Sequence, residues 1–313
     1  MSQKAEGKAH GKVILIGEHS VVYDKPAIAI PFPVVNVTAT IEENYTANHS
    51  IYINSKYYDG LLINAPEELS GIKACVEETF YLLNAKPKNI CITISSTIPS
   101  GRGLGSSAAV AHAIVRAIFN HFDASLSKDI QMHLVQIAET HAHGNPSGID
   151  MEATYSDAPI WFQKGKKTKA LEIGSPLHLI VADSGRFGDT KTAVESIRSL
   201  YLKHPGPTRS SIDLLGEYTV ECAHSLSTGD LHRIGELMNL AQIELTKLGV
   251  SDDRLEQFIQ VARKNDALGA KLTGGGRGGC ILALAENEQH AISLSHALKE
   301  AGAPRTWTSR LDG

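Results

Sequence analysis

Four stretches of the chain carry side chains whose types and spacing could do chemistry. The first is GRGLGSSAA, residues 101–109, set between the β-branched run ICITISSTI and the run VAHAIVRAIFNHF, which is apolar at helical intervals. A glycine loop that leads from a strand into a helix can hold phosphate. Gly101, Gly103 and Gly105 let the backbone come close, and the first helical turn offers unpaired N–H groups with about half a positive charge. Ser106 and Ser107 add hydroxyls that can donate to phosphate oxygens or ligate Mg²⁺. The loop has no lysine of the common nucleotide-binding kind, and its glycines do not follow the dinucleotide fingerprint. Read alone, the segment also fits a tight strand-to-helix turn with a serine cap.

The second stretch, TGGGRGG at 273–279, contains Gly274, Gly276 and Gly279 in a literal Gly-x-Gly-x-x-Gly. CILALA follows it rather than a helix, so the run links two strands, either as a wide hairpin or as backbone passing close to a ligand. The third is AETHAHGNPSGID. Glu139 falls in the last turn of a helix over KDIQMHLVQIAETHAH, where the dipole disfavours an anion. That suggests a nearby metal or ligand, or else a solvated glutamate. His141 and His143 form His-x-His, but near a helix end they point about 200° apart, which argues against dedicated zinc binding. Asp150 follows the turn-rich GNPSG, which can fix a carboxylate and equally suits a turn aspartate. Near the start, GKVILIGEHSVVY opens on Lys12 and ends its apolar strand at Glu18 and His19. Charged groups at a strand end are well placed to line a site, although a strand-edge lysine is often solvated.

These residues need a frame. Strand-like runs (KVILIG, AIAI, VVNVTATI, SIYIN, NICITISST) mix with two helical stretches up to about residue 175. Beyond it the chain opens with the strand LHLIVADS and turns largely helical. Leu231, Ile234, Met238, Ala241, Leu245 and Leu248 recur at three- and four-residue steps and draw one core-facing stripe. The end reads strand AKLT, glycines, strand CILALA, then helix EQHAISLSHALKEAG. This is an α+β pattern, and at 313 residues it suits two domains, 1–175 and 176–313. With 42% hydrophobic and 20% charged residues the composition is that of an ordinary globular chain. The net charge of -4 gives no basic stripe for nucleic acid, and GKKTK at 165–169 reads as a solvated loop. No run approaches the roughly 18 to 20 apolar residues of a membrane span, so the cytoplasm is the expected location. Cys75, Cys91, Cys222 and Cys280 are scattered and read as reduced thiols.

Taken together, GKVILIGEHSVVY, PSGRGLGSSAA, HGNPSGID and KLTGGGRGGC resemble, in order, the motifs of the galactokinase, homoserine kinase, mevalonate kinase and phosphomevalonate kinase (GHMP kinase) superfamily. They span residues 11 to 280. Within the superfamily they are most similar to the mevalonate kinases, through Gly-Glu-His-Ser-Val-Val and Asn-Pro-Ser-Gly-Ile-Asp. The resemblance implies a two-domain fold. Its N-terminal domain would be of the ribosomal-protein-S5 second-domain type and its C-terminal domain ferredoxin-like, with the active site between them.

The resemblance also implies roles. Asp150 matches the catalytic aspartate and Lys12 the lysine beside it. Glu139 and Ser107 match the Mg²⁺ ligands. Pro99, Gly101, Gly103, Leu104, Gly105, Ser106, Ser107 and Ala108 match the ATP loop. Glu18, His19, Thr190 and Gly275 fall on the substrate side. The implied reaction is ATP-dependent phosphorylation of the 5-hydroxyl of (R)-mevalonate, with a homodimer among the expected assemblies. The runners-up are another small-molecule kinase of the superfamily and a catalytically dead relative that senses its ligand. Two departures stand out. Arg277 interrupts the glycine run, and Thr140 follows Glu139 where some relatives carry arginine. The cation for the substrate carboxylate is therefore left among His19, Arg186 and Arg277.

Overall fold

The β-branched runs become strands and the periodic apolar stripes become helices in a computed structural model that describes residues 4–43, 50–86, 89–144 and 146–312. The chain opens with β1 (Ala5–Ile16), β2 (Ala27–Glu43), β3 (Ile51–Ser55) and β4 (Asp59–Leu61). Next come α1 (Ser70–Leu82), β5 (Ile90–Ser96), α2 (Ser106–His121), α3 (Lys128–His143) and α4 (Ile149–Tyr155). Then follow β6 (Ile160–Phe162), β7 (Lys169–Ala170), β8 (Leu177–Asp183), α5 (Thr190–Lys203) and α6 (Pro205–Thr228). The chain closes with α7 (Leu231–Lys247), α8 (Asp253–Lys264), β9 (Gly269–Thr273), β10 (Cys280–Ala285), α9 (Glu288–Glu300) and β11 (Thr306–Leu311).

The α+β class is as expected, with differences in detail. AIAI and VVNVTATI form the single 17-residue strand β2. It passes through Pro31 and Pro33, which fall between its pairing with β6 at Ala27–Ala29 and its pairing with β5 at Val37–Glu43, so those two ladders do not need the prolines' missing N–H groups. Helix α1 was not read from the sequence, although Cys75, Val76, Thr79 and Phe80 are its buried face. Strand β11 was also missed, because TWTSRL is only half-buried at the edge of its sheet.

Two compact units account for the chain, and neither is contiguous. The first comprises Met1–Gly11, Val35–Pro99 and Gly105–Tyr155; the second comprises Lys12–Val34, Ser100–Leu104 and Ser156–Gly313. These boundaries interleave, whereas the division into 1–175 and 176–313 makes one cut. One reason is hydrogen bonding between distant segments. Ile14 N–H donates to Thr273 Oγ1 at 2.9 Å, and that hydroxyl donates to Ile14 O at 3.1 Å, so the second half of β1 belongs with β9.

In the first unit β3 lies parallel to β5 and antiparallel to β4, and β5 pairs antiparallel with β2. Helices α1, α2 and α3 share a cluster of Cys75, Ala108, Ala111, Val115, Phe119, Leu134, Val135 and Ala138. The second unit holds an all-antiparallel sheet in the order β11-β8-β10-β9. Every residue of β9 and β10 is buried, with α7, α8 and α9 packed on the sheet. The stripe Ile234, Met238, Ala241 and Leu245 of α7 is core, as its periodicity implied. All four cysteines are free, three buried and Cys91 half-buried. Lys164, Lys166 and Lys167 are exposed around a turn.

Candidate active site

In the second unit the glycines of the two runs are explained by backbone meeting backbone. A Cβ on Gly103 would lie 3.1 Å from Thr273 O and 3.2 Å from Gly274 Cα, and one on Gly274 would lie 2.9 Å from Gly103 Cα. Both residues also have φ in the left-handed region, +75° and +85°. TGGGRGG joins antiparallel strands, with Thr273 opposite Cys280, so it is a hairpin loop that also makes a close approach. Its close neighbour here is the first glycine loop.

Lys12 sits in β1 with only 1% of its surface exposed, so the solvated strand-edge reading does not hold. Its Nζ donates to Gly103 O at 2.9 Å, and its N–H donates to Leu104 O at 3.0 Å. The glycine loop without a lysine of its own thus has one delivered to it from another strand. Leu104 is buried beside it.

At the end of β1, Gly17 (φ +102°) turns the chain where any Cβ would strike Ala27. Glu18 and His19 follow, both buried. Glu18 Oε1 accepts from Lys271 Nζ, which also donates to Leu272 O at 2.6 Å. Burial pushes the Glu18 carboxyl up and the Lys271 ammonium down, and each charge opposes the other's shift. The second carboxylate oxygen, Oε2, takes no hydrogen bond among the described residues. His19 has the left-handed φ of +61°, and its Nε2 donates to Gly275 O at 3.1 Å. Burial lowers its pKa to about 4, so the ring is neutral at pH 7 and is not the cation sought for a carboxylate. Arg186 is exposed and 3.6 Å from Asp252 Oδ2, and Arg277 donates from Nε to Gly249 O at 3.3 Å.

Gly275 also lies against Thr190, the first residue of α5, whose hydroxyl a Cβ on Gly275 would meet. Three residues expected on the substrate side, His19, Thr190 and Gly275, are therefore in direct contact.

In the first unit α2 begins at Ser106 after Gly105, whose φ is +75°. Ser106 and Ser107 are half-buried in the first turn, Ala108 is fully buried, and Pro99 is half-buried just after β5. Glu139 lies in α3, 2% exposed, which excludes the solvated reading. Asp150 is the second residue of α4 rather than part of a turn. Each of the three polar residues neighbours an apolar one in the shared cluster: Ser107 next to Ala108, Glu139 next to Ala138, Asp150 next to Met151.

A buried polar chain ties the same helices together. Gln131 Nε2 of α3 donates to His112 Nδ1 of α2 at 2.8 Å, and His112 Nε2 donates to Met151 O of α4 at 3.0 Å. Burial pushes His112 down to about 3, so it stays neutral and fills both roles with one tautomer. His141 is exposed and the His143 side chain lies outside the described residues; among those described, no three His, Cys, Asp or Glu residues group as a metal cage. Lys271, His112 and the Arg102–Asp183 ion pair were missed from the sequence. The only signal was polar residues set inside otherwise apolar buried runs.

Comparison with known proteins identifies the family. Residues 70–157 match the GHMP kinases N terminal domain and 222–304 the GHMP kinases C terminal domain. The mevalonate kinase of Pyrococcus furiosus is 32% identical, over 96% of this chain and 94% of its own. The crystal structure of mevalonate kinase from methicillin-resistant Staphylococcus aureus MRSA252 is 34% identical with a TM-score of 0.75, covering 99% of this chain and 100% of that one. The L. major mevalonate kinase, solved in complex with R-mevalonate, has the same fold at a TM-score of 0.86 and 24% identity, over 99% and 97% of the two chains. The chain belongs to the GHMP kinases, in the family of the mevalonate kinases.

Proposed function

We propose that this chain transfers the γ-phosphoryl group of ATP to the 5-hydroxyl of (R)-mevalonate, giving 5-phosphomevalonate and ADP. The observation that carries the reading is the buried Lys12 ammonium 2.9 Å from Gly103 O, a cation brought to a glycine loop that has none of the usual kind. Phosphoryl transfer asks mainly for positioning and charge neutralisation. Pro99, Gly101, Gly103, Leu104, Gly105, Ser106, Ser107 and Ala108 cradle the phosphates with backbone N–H groups and the start of α2. Asp150 orients the alcohol and takes its proton as the oxygen bonds to phosphorus and ADP leaves. Lys12 stabilises the alkoxide as it develops. Glu18, His19, Thr190 and Gly275 receive the rest of the substrate. In this reading residues 1–175 carry the ATP loop and the catalytic groups and 176–313 complete the site.

Ser107 and Glu139 are the Mg²⁺ ligands of this proposal. A hydroxyl and one carboxylate suit a hard cation that takes its remaining oxygens from phosphates and water, and the burial of Glu139 near a helix end, where the dipole opposes it, suits a carboxylate meant for a cation. Bound there, Mg²⁺ would neutralise phosphate charge during transfer. We further infer a cytoplasmic location, to be checked by cell fractionation, with a homodimer among the assemblies to be tested by light scattering. No helix among the described residues is long and apolar enough to cross a membrane.

The test is the purified protein with MgATP and, in parallel, mevalonate, phosphomevalonate, galactose and homoserine. Turnover of mevalonate with little of the others is expected, because polar groups left buried and unpaired cost about 1–3 kcal/mol each. Efficient turnover of another alcohol with none of mevalonate would overturn the substrate and leave the fold untouched.

A further inference from the structure

We propose that Arg102 is a positioning residue for the ATP loop: it clamps GRGLG to Asp183 and Phe187 and so fixes the backbone on which the phosphates rest. The inference rests on the reading of that loop as the phosphate cradle. Arg102 lies between Gly101 and Gly103, whose φ values of +66° and +75° are open to few other residues. Such glycines lose more freedom on ordering than any other residue, so a loop built on them needs an anchor. Nε of Arg102 lies 2.7 Å from Asp183 Oδ1, with the two side chains 12% and 7% exposed, and Cζ lies 4.5 Å from the Phe187 ring centroid.

The other half of the clamp is rigid. Asp183 ends β8, where it stands opposite Cys280 of β10, donates its N–H to Arg305 O at 2.9 Å, and accepts Gly185 N–H on Oδ1 at 2.8 Å. Phe187, 72% exposed, lies against Gly101 so closely that no Cβ would fit, and Gly188 N–H donates to Gly101 O at 2.8 Å. A guanidinium that pairs by charge with a carboxylate and lies flat over a ring suits such a loop, and lysine offers no such plane. With the loop ordered in advance, ATP does not bear the entropy of ordering it.

Arg102→Gln, Arg102→Lys, Asp183→Asn and the double variant Arg102→Gln/Asp183→Asn test this. The measurements are the dissociation constant of MgATP without the second substrate, the KM for ATP, kcat and the melting temperature. Arg102→Gln is expected to weaken MgATP and raise its KM about tenfold, with a smaller change in the KM for mevalonate. Arg102→Lys should recover part of the loss, and the double variant should bind no worse than the weaker single one. A purely structural arginine would instead lower the melting temperature and the active fraction, reducing kcat at unchanged KM. MgATP affinity within about twofold of the parent in folded Arg102→Gln, or losses that add in the double variant, would overturn the proposal. If Arg102→Gln does not fold, Arg102→Lys decides on the same readouts. If the parent binds MgATP and leaves mevalonate unphosphorylated, the substrate reading fails and the nucleotide affinities still decide the role of Arg102.

Discussion

In the first unit Ser107, Glu139 and Asp150 are carried by three helices whose adjoining residues, Ala108, Ala138 and Met151, join one apolar cluster. In the second unit Lys12, Glu18 and His19 are held by polar contacts: a carbonyl at Gly103, an ammonium at Lys271 and a carbonyl at Gly275. The difference has a physical basis. Helices place residues through faces of packed side chains, which tolerate repacking as long as volume is kept. Loops rich in glycine have no such faces, so hydrogen bonds and charges must fix them, and a missing partner then leaves a buried group exposed to its full desolvation cost. The first unit should therefore answer mutation gradually and the second steeply, apart from Asp150, the residue proposed to do the chemistry.

Asp150→Asn should show the largest effect, and it tests that exception. Loss of a general base typically costs about 10² to 10⁴ in rate, while a half-buried carboxylate near the start of a helix contributes little to the packing around it. The variant is expected to fold, to bind MgATP and to lose nearly all turnover in a steady-state assay. Near-parental kcat would move the chemistry away from the first unit.

Lys271→Met comes next and strikes the second unit. It leaves Glu18 buried without its counter-ion, and breaking one side of a buried pair costs about 3–5 kcal/mol, which urea unfolding would read directly. Adding Glu18→Gln should restore part of that stability and none of the substrate affinity, because the carboxylate proposed to receive substrate is then gone. A loss from Lys271→Met below about 1 kcal/mol, the size of a surface pair, would mean that charge does not hold this region.

Acid sharpens the comparison because each unit contains one buried neutral histidine, His112 at about 3 and His19 at about 4. An unfolded histidine titrates near 6.5, so below that pH the unfolded state binds more protons than the folded one. Stability should then fall as the pH drops from about 6.5 toward 4 and, for His112, on toward 3. In urea melts across this range, either His112→Gln or His19→Gln should reduce the slope between about 6.5 and 4, and only His112→Gln should flatten what remains between about 4 and 3. Identical slopes in the parent and both variants would show that neither ring is held neutral.

Much of this arrangement can be read along the chain. Most strands, the helices α2, α3, α7 and α9 and both glycine loops follow from local pattern, since a β-branched run, an apolar stripe or a glycine cluster states its own conformation, whereas Lys12, Glu139 and Asp150 stand out only through the family resemblance of their motifs. The partners do not follow. Lys271 is 253 residues from Glu18, Gly103 is 91 from Lys12, and Met151 is 39 from His112, and one sequence contains nothing that pairs residues across such distances. Asp150 is open between a fixed carboxylate and a turn aspartate because turn-forming residues precede it; it stands instead in the short helix α4, whose buried Ile149 and Ala153 hold it to the unit. His19 was open as a cation because its charge depends on burial, which a sequence does not display.

The smallest expected effect lies in the apolar cluster and tests the gradual half of the comparison. Leu134 is fully buried among Ala108, Val115 and Ala138, two turns of α3 before the end that carries Glu139. Leu134→Met keeps volume and adds flexibility, so it should cost less than about 1.5 kcal/mol. For a chain of this size that is a fall of only a few degrees in melting temperature. Because the neighbouring side chains can repack around a thioether, Glu139 and Ser107 should keep their geometry, and a Mg²⁺ titration of turnover should overlay that of the parent. A shifted Mg²⁺ requirement at nearly unchanged stability would show that the cluster transmits small displacements to its polar neighbours, making the helical unit as exacting as the glycine loops.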